Sequence, residues 1–306
     1  LSMLRDPIEL YEYPREWHNC DEEIVRKVKS GLYILTEDGF LRRGITTGTT
    51  ASAAVVAAIS SLYEDVKKVK ITTPAGIPVD VKVEVAGGGF ARVRKFSGDH
   101  EFDVTDGLVI EAEVTDGRGV KFGEGVGEFV RGEIKRKAVS KSALMQIQEN
   151  FLSCSRKYGF TGGVMVSIPE GRKIAMKTGN KRAGVEGGIS ILGTTGFVEP
   201  WCRRLVETKL KIAMQYEKIT ITTGRKAWLY SIRKFPEYQP FVFGVHIDEA
   251  LEHPGEKVVV GFPGILSIWA GGRDKIWEKC KKAGVRVEVI GDDLDNWIWN
   301  MQKAGN

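Results

Sequence analysis

Two glycine–threonine stretches, far apart in a chain of 306 residues, are where residue type and spacing point to ligand chemistry. One runs from Gly184 to Pro200: the apolar run Ile189–Leu192 is closed by glycine at both ends, breaks into Gly193-Thr194-Thr195-Gly196 and stops at Glu199-Pro200. The other is Arg42-Arg43-Gly44-Ile45-Thr46-Thr47-Gly48-Thr49-Thr50-Ala51. Glycine permits backbone angles and close approaches that a Cβ forbids, and threonine hydroxyls donate or accept beside exposed amides. Such loops can hold a polar or negatively charged ligand against bare N–H groups. They equally suit tight turns between strand and helix. Finding the pattern twice favours the ligand role.

The elements that must position these loops follow from periodicity. Residues 50–63 read as a small-residue, largely buried helix; alanine gives it propensity, and Thr46, Thr47 or Thr49 can cap it. Its start would offer orphan N–H groups and the positive end of the helix dipole to an anion, with Arg42 and Arg43 just upstream. The period then changes to two over 69–73, 79–85, 91–96 and 108–114, which predicts a strand meander. Asp106 lies in the turn Asp103-Val104-Thr105-Asp106-Gly107. Residues 117–137, rich in glycine and then basic, predict a mobile loop or irregular hairpin. A helix is expected over 142–158, with Gly159 to stop it, and a strand over 164–168. Strands followed by helices on one side give an α+β first domain over 41–192, preceded by an N-terminal extension over 1–40 with one helix at 21–30.

After Pro200 the pattern becomes alternating. Helices at 201–216, 225–235, 247–253, 265–283 and 292–303 interleave with strands at 218–222, 240–246, 257–262 and 285–290. This predicts a small α/β domain over 193–306 with a four-stranded parallel sheet. Ligands of such sheets lie beyond the carboxyl ends of the strands, where Thr223, Gly224 and Gly261 stand. Gly224 and Gly261 are the candidates for close backbone approach to a nucleotide-like cofactor, and Asp248 could accept from ribose hydroxyls.

The net charge is +5, the charged fraction 28% and the hydrophobic fraction 42%. No apolar run approaches the ~18 residues of a membrane span. The four cysteines are scattered without a metal-binding spacing, so a reduced, cytoplasmic setting is expected. Basic clusters suggest nucleic acid or a polycarboxylate or phosphate ligand. Aromatics are not interleaved with them, which favours the small anion and argues against nucleic acid and membrane partners.

The stretch 41–51 resembles the opening motif of the CbiD-type cobalt-precorrin-5B C-methyltransferases of anaerobic cobalamin biosynthesis. Val104-Thr105-Asp106-Gly107 is similar to their Val-Thr-Asn-Gly turn, and 187–200 is the longest match. The resemblance implies S-adenosylmethionine as methyl donor and a cobalt-precorrin, a polycarboxylate tetrapyrrole, as acceptor at carbon 1. It also implies a first domain like domain 2 of ribosomal protein S5. On this footing Arg42, Arg43, Thr46, Thr47, Gly48, Thr49 and Asp106 are expected at the macrocycle. Gly193, Thr194, Thr195, Gly196, Thr223, Gly224, Gly261 and Asp248 are expected at the cofactor, with Glu199 taking a proton or orienting the cofactor. The pattern departs from the family at Ala138–Leu144, Asn180–Arg182, Gly224–Ala227, Gly244–Ile247 and Gly261–Ile265. Those departures motivate a second reading, a paralogue that binds a tetrapyrrole or nucleotide without methyl transfer. An RNA-binding protein is a third.

Overall fold

A computed structural model describes residues 3–131 and 134–291. The expected helix at 292–303 lies outside the described residues. The chain divides into two compact units: Leu1–Val25, Thr36–Asp38 and Arg203–Asn306 form unit 1, and Arg26–Leu35 with Gly39–Cys202 form unit 2.

In chain order the described elements open with α1 (Arg15–His18), α2 (Glu22–Lys29) and the paired strands β1 (Tyr33–Thr36) and β2 (Gly39–Arg42). Next come β3 (Gly44–Ile45) and α3 (Thr47–Ser60). Strands β4 (Lys68–Thr72) and β5 (Pro78–Lys82) pair antiparallel as a separate two-stranded sheet. Strands β6 (Val85–Gly87), β7 (Phe90–Arg94), β8 (Val109–Thr115), β9 (Gly119–Phe122) and, much later, β12 (Gly163–Ser167) make a five-stranded sheet in the order β6-β7-β8-β12-β9. The expected meander therefore holds only from β6 to β8, because β4 and β5 pair apart from this sheet, and β12 then enters antiparallel to β8 and parallel to β9. Alternation sets the faces. Ala91, Val93, Ile110 and Ala112 are buried, while Arg92 and Glu111 meet at 2.6 Å on the other side.

Helices α3 and α4 (Lys141–Tyr158) pack together beside this sheet. Thr46 caps α3, its Oγ1 accepting from the Thr49 amide at 3.2 Å. Ser140 caps α4 through the Ala143 amide at 3.3 Å, and Gly159, at φ 67°, ends it in the left-handed conformation glycine favours. Small residues let the helices close up: a Cβ on Gly48 would lie 2.9 Å from that of Ala143. The 117–137 stretch is more regular than expected. Beyond β9 it holds the antiparallel pair β10 (Glu128–Arg131) and β11 (Ile134–Lys137). A short helix α5 (Gly171–Ala175), then β13 (Val185–Glu186) on β10 and β14 (Phe197–Val198) on β3, complete unit 2.

Unit 1 contains α6 (Arg203–Ala213), β15 (Lys218–Thr222), α7 (Arg225–Lys234), β16 (Gln239–Val242), α8 (Ile247–Ala250) and β17 (Glu256–Gly261). It continues with α9 (Pro263–Ala270), α10 (Ile276–Lys282) and β18 (Arg286–Val289). All four strands are parallel, in the order β16-β15-β17-β18. The single helix expected at 265–283 is two, because Gly271 caps α9 at φ 77° and Gly272 follows at φ 154°.

The N-terminal residues belong to the core of unit 1. Leu4, Ile8, Tyr11 and Tyr13 are buried, and Tyr11 stacks on Phe241 with ring centroids 5.5 Å apart. Glu9 and Lys209, both buried, form an ion pair at the end of β16. Glu9 Oε2 accepts from the Val242 amide at 3.0 Å, and Lys209 Nζ donates to the Val242 carbonyl at 2.9 Å. Two charges in a dry interior persist only when paired and hydrogen-bonded in this way.

Candidate functional site

In unit 2 the two glycine–threonine loops lie against each other. Strand β14 pairs with β3, Phe197 opposite Ile45. The Thr46 amide donates to the Gly196 carbonyl at 3.1 Å, and the Gly48 amide to the Leu192 carbonyl at 2.9 Å. Thr47 Oγ1 accepts from the Leu192 amide at 2.8 Å, and Thr49 Oγ1 donates to the Gly196 carbonyl at 2.9 Å. The glycines are part of the same fit. A Cβ on Gly193 would meet Thr46 Oγ1 at 2.5 Å, and one on Gly196 would meet Thr73 Cβ at 2.6 Å.

This corrects the expectation of several orphan N–H groups at the start of α3. The amides of Gly48 and Thr49 and the hydroxyls of Thr46, Thr47 and Thr49 bond to protein atoms, and Thr47 and Thr49 are buried. The loops join the elements of unit 2; their threonines do not line an open anion cradle. Thr194 is exposed, and Thr195 closes a local turn by accepting from the Phe197 amide at 3.2 Å.

Two residues that sequence reasoning passed over complete this junction. Gln146 and Asn150, one turn apart on the buried face of α4, bond to Thr49 Oγ1 at 3.0 Å and to both the amide and carbonyl of Thr72, at 3.0 and 2.9 Å. Gln146 Oε1 is buried and accepts nothing. The signal lay in the pattern: polar residues at 146 and 150 interrupt the stripe of Ala143, Ile147, Phe151 and Cys154.

Arg42 and Arg43 part company. Arg42 is exposed, its guanidinium 4.1 Å from the centre of the Phe96 ring. Arg43 is fully buried and donates through Nε to Glu199 Oε1 at 2.8 Å and through a terminal nitrogen to the Gly31 carbonyl at 3.3 Å. Behind them the segment 96–98 fits so closely that a Cβ on Gly44 would lie 2.4 Å from Ser97 Cα. Asp106 acts on this segment, accepting from the Ser97 amide at 2.9 Å. Its neighbour Asp103 accepts from Lys95 Nζ at 2.7 Å, Ser97 Oγ at 2.8 Å and the Thr105 amide at 2.8 Å. Burial alone would raise the Asp103 carboxyl, but the bonds from Lys95, Thr105 and Ser97 outweigh it and hold the group well below the usual carboxylate range.

In unit 1 the loop after β15 and the loop after β17 leave the sheet where the strand order reverses, the position where parallel sheets receive ligands. Thr223 and Gly224 follow β15, and Gly261 ends β17. They divide by space. A Cβ on Gly261 would meet Thr223 Cγ2 at 2.4 Å, so that glycine serves packing. Beside Gly224 there is nothing within 4 Å, and its extended backbone (φ 167°) is open to any residue. No side chain caps the start of α7 or of α9, and Gly264 is also open. Asp248 is tied back: Trp269 Nε1 donates to it at 2.9 Å and Lys279 Nζ at 3.0 Å. Burial opposes ionisation of Asp248, yet these two donors lower its pKa. A depression of about 440 Å³ bounded by Gln215, Tyr216, Lys218 and Gln239 lies at the amino ends of β15 and β16, and none of the expected site residues lines it.

Among the described residues no cluster of histidine, cysteine and acidic side chains is arranged to hold a metal, and no helix is long and apolar enough to cross a membrane. The observed features define a mixed α/β protein with a four-stranded parallel sheet. The family model described as CbiD matches residues 35–200, and the chain belongs to the CbiD family. A protein of Archaeoglobus fulgidus named cobalt-precorrin-5B C(1)-methyltransferase is 67% identical over 98% of this chain and 99% of its own length. A protein of the same name from Methanosarcina acetivorans is 37% identical over 93% of this chain and 87% of its own. The crystal structure of a cobalamin biosynthesis protein (CbiD) from Archaeoglobus fulgidus superimposes with a TM-score of 0.90 at 68% identity, covering 94% of this chain and all of that one.

Proposed function

We propose that this chain methylates carbon 1 of cobalt-precorrin-5B, with S-adenosylmethionine as the donor. The observation that carries the reading is the 67% identity, nearly end to end, to the Archaeoglobus fulgidus protein of that name. Unit 2, with α3 and α4 beside a largely antiparallel sheet, is read as S5-like.

Methyl transfer from a sulfonium to carbon is an in-line displacement that needs alignment more than a proton carrier, and positioning can supply several kcal/mol of the barrier. The chain's residues suit that demand. Gly224, with space beside it, and the starts of α7 and α9, which no side chain caps, would receive the donor's polar groups at the switch point. Thr223, packed on Gly261, fixes the spacing between β15 and β17. In unit 2, Arg42, exposed and resting on the Phe96 ring, offers a cation to a macrocycle carboxylate. Thr46, Thr47, Gly48 and Thr49, joined to Gly193–Gly196, hold the backbone from which Arg42 projects. Arg43 and Glu199 orient that backbone as an ion pair.

Calorimetry with S-adenosylmethionine, followed by a methyl-transfer assay on cobalt-precorrin-5B, tests the reading. Donor binding with turnover supports it; donor binding without turnover on authentic substrate supports the non-methylating paralogue.

A further inference from the structure

Two helices of unit 1 begin at the ends of neighbouring strands. Thr222 stands opposite Val260 in the parallel pair of β15 and β17, and paired strands run about 4.8 Å apart. Strand β15 ends at Thr222 and α7 begins at Arg225; β17 ends at Gly261 and α9 begins at Pro263. A helix start leaves amides without intrahelical partners and carries the positive end of the dipole, which a capping side chain or an acid in the first turn commonly meets. Neither α7 nor α9 has either one. Helix α8, after the edge strand β16, carries Asp248 and Glu249 in its first turn. The two helix starts that flank the switch point are thus the ones without a protein anion.

Thr223 adds an independent observation at the same place. Its residue is 3% exposed, yet among the described residues its hydroxyl has no hydrogen-bond partner. Two contacts fix where that hydroxyl lies. The Thr223 amide donates to the Val260 carbonyl at 3.2 Å. A Cβ on Gly261 would stand 2.4 Å from Thr223 Cγ2 and 2.7 Å from Thr223 Oγ1. The side chain is therefore lodged between the carboxyl ends of β15 and β17, one residue before the space beside Gly224. The other threonines of β15 are satisfied: Thr220 Oγ1 bonds to Ser231 Oγ, and Thr222 Oγ1 donates to the Phe241 carbonyl at 2.8 Å. A buried hydroxyl without a partner costs stability, and valine would fill the same space without that cost. A bound ligand that supplies the missing partner offsets it.

We infer that the Thr223 hydroxyl and the starts of α7 and α9 bind the carboxylate at the methionine end of the donor. This rests on the methyl-transfer reading and names the part of S-adenosylmethionine that the switch point recognises. The carboxylate is the one anionic group of that molecule. Its ammonium and sulfonium are cations, which the positive ends of two helices disfavour. Anchoring the carboxylate between the strand ends fixes one end of the donor and so limits where its methyl group can be presented.

The test is calorimetry on the full chain with S-adenosylmethionine, decarboxylated S-adenosylmethionine and 5′-methylthioadenosine, which share the adenosine end. The wild type binds S-adenosylmethionine at least about tenfold tighter than the decarboxylated compound. Thr223→Val weakens S-adenosylmethionine about tenfold, leaves the other two ligands unchanged and does not lower the unfolding midpoint. Thr223→Ser, which keeps the hydroxyl, retains the discrimination. In turnover, Thr223→Val raises KM for the donor and not for cobalt-precorrin-5B. Equal wild-type affinity for the carboxylated and decarboxylated compounds overturns the carboxylate site, as does equal weakening of all three ligands by Thr223→Val. Carboxylate-dependent binding without methyl transfer to cobalt-precorrin-5B keeps the site and sinks the enzymatic reading. Methyl transfer by a wild type that does not discriminate does the reverse.

Discussion

The Arg43 guanidinium donates to Glu199 across 156 positions of sequence, and Arg43 has no solvent exposure. Two residues expected separately, one at the macrocycle and one at the reacting centre, thus bond to each other. Replacing Arg43 by alanine takes the guanidinium away from a partly buried carboxylate and costs about 3–5 kcal/mol of stability. Glu199→Gln keeps an acceptor and costs about 1–2 kcal/mol. If Glu199 orients the backbone, Glu199→Gln moves the urea midpoint while kcat falls less than tenfold. A proton acceptor in the reaction would show a drop of about 10²–10⁴.

The glycines of the two candidate regions respond in opposite ways to an added methyl group. Gly193→Ala forces a Cβ against Thr46 Oγ1 and costs about 1–3 kcal/mol. Gly224→Ala meets no neighbour and changes stability by less than about 0.5 kcal/mol. Under the proposed function Gly224→Ala instead weakens S-adenosylmethionine binding, which calorimetry on the same preparations detects.

Asp103 predicts an acid response. Its folded pKa lies below the unfolded value near 4. Its contribution to stability is therefore present above that value and is lost as pH falls toward the folded one. Burial lowers the Lys95 pKa against the pull of Asp103, but this acts where Lys95 loses its proton and not in the acid window. Thermal unfolding between pH 6 and pH 2 should give a shallower acid limb for Asp103→Asn than for the wild type. Parallel limbs would assign the acid sensitivity elsewhere.

The Glu9–Lys209 pair predicts non-additivity. Lys209→Met alone leaves Glu9 buried without its cation and costs about 3–5 kcal/mol. The double change Glu9→Leu with Lys209→Met removes both charges and costs less than the single one. Denaturant unfolding of the three proteins checks this.

The elements set by local periodicity were legible in the sequence. Strand 218–222 matches at both ends, the helix expected at 142–158 begins one residue earlier, and the four parallel strands stand as expected. The family motifs were legible too, because 187–200 is a long ordered match. Long-range partners were not. Nothing in Glu9 points to Lys209, and no period of two or 3.6 announces that β12 enters beside β8. At the candidate site, residue type marked the threonines correctly as polar and capping. Whether a hydroxyl faces a ligand or the next loop depends on a partner some 145 residues away, as for Thr47 and Leu192. Gly224 and Gly261 look alike in sequence, and only the neighbouring Thr223 side chain separates an open glycine from a filled one.

The seating of the first residues in unit 1 imposes an order on biosynthesis. Glu9 bonds to Val242, 233 positions downstream. At translation rates of about 5–20 residues per second, the opening segment waits roughly 10–50 s before its binding surface leaves the ribosome. Through that interval Leu4, Ile8, Tyr11 and Tyr13 remain uncovered, while unit 2 has every residue it needs by Cys202. Unit 2 therefore completes first, and unit 1 closes only once β16 has been made. A nascent chain arrested before Phe241 carries Tyr11 without the ring it stacks on.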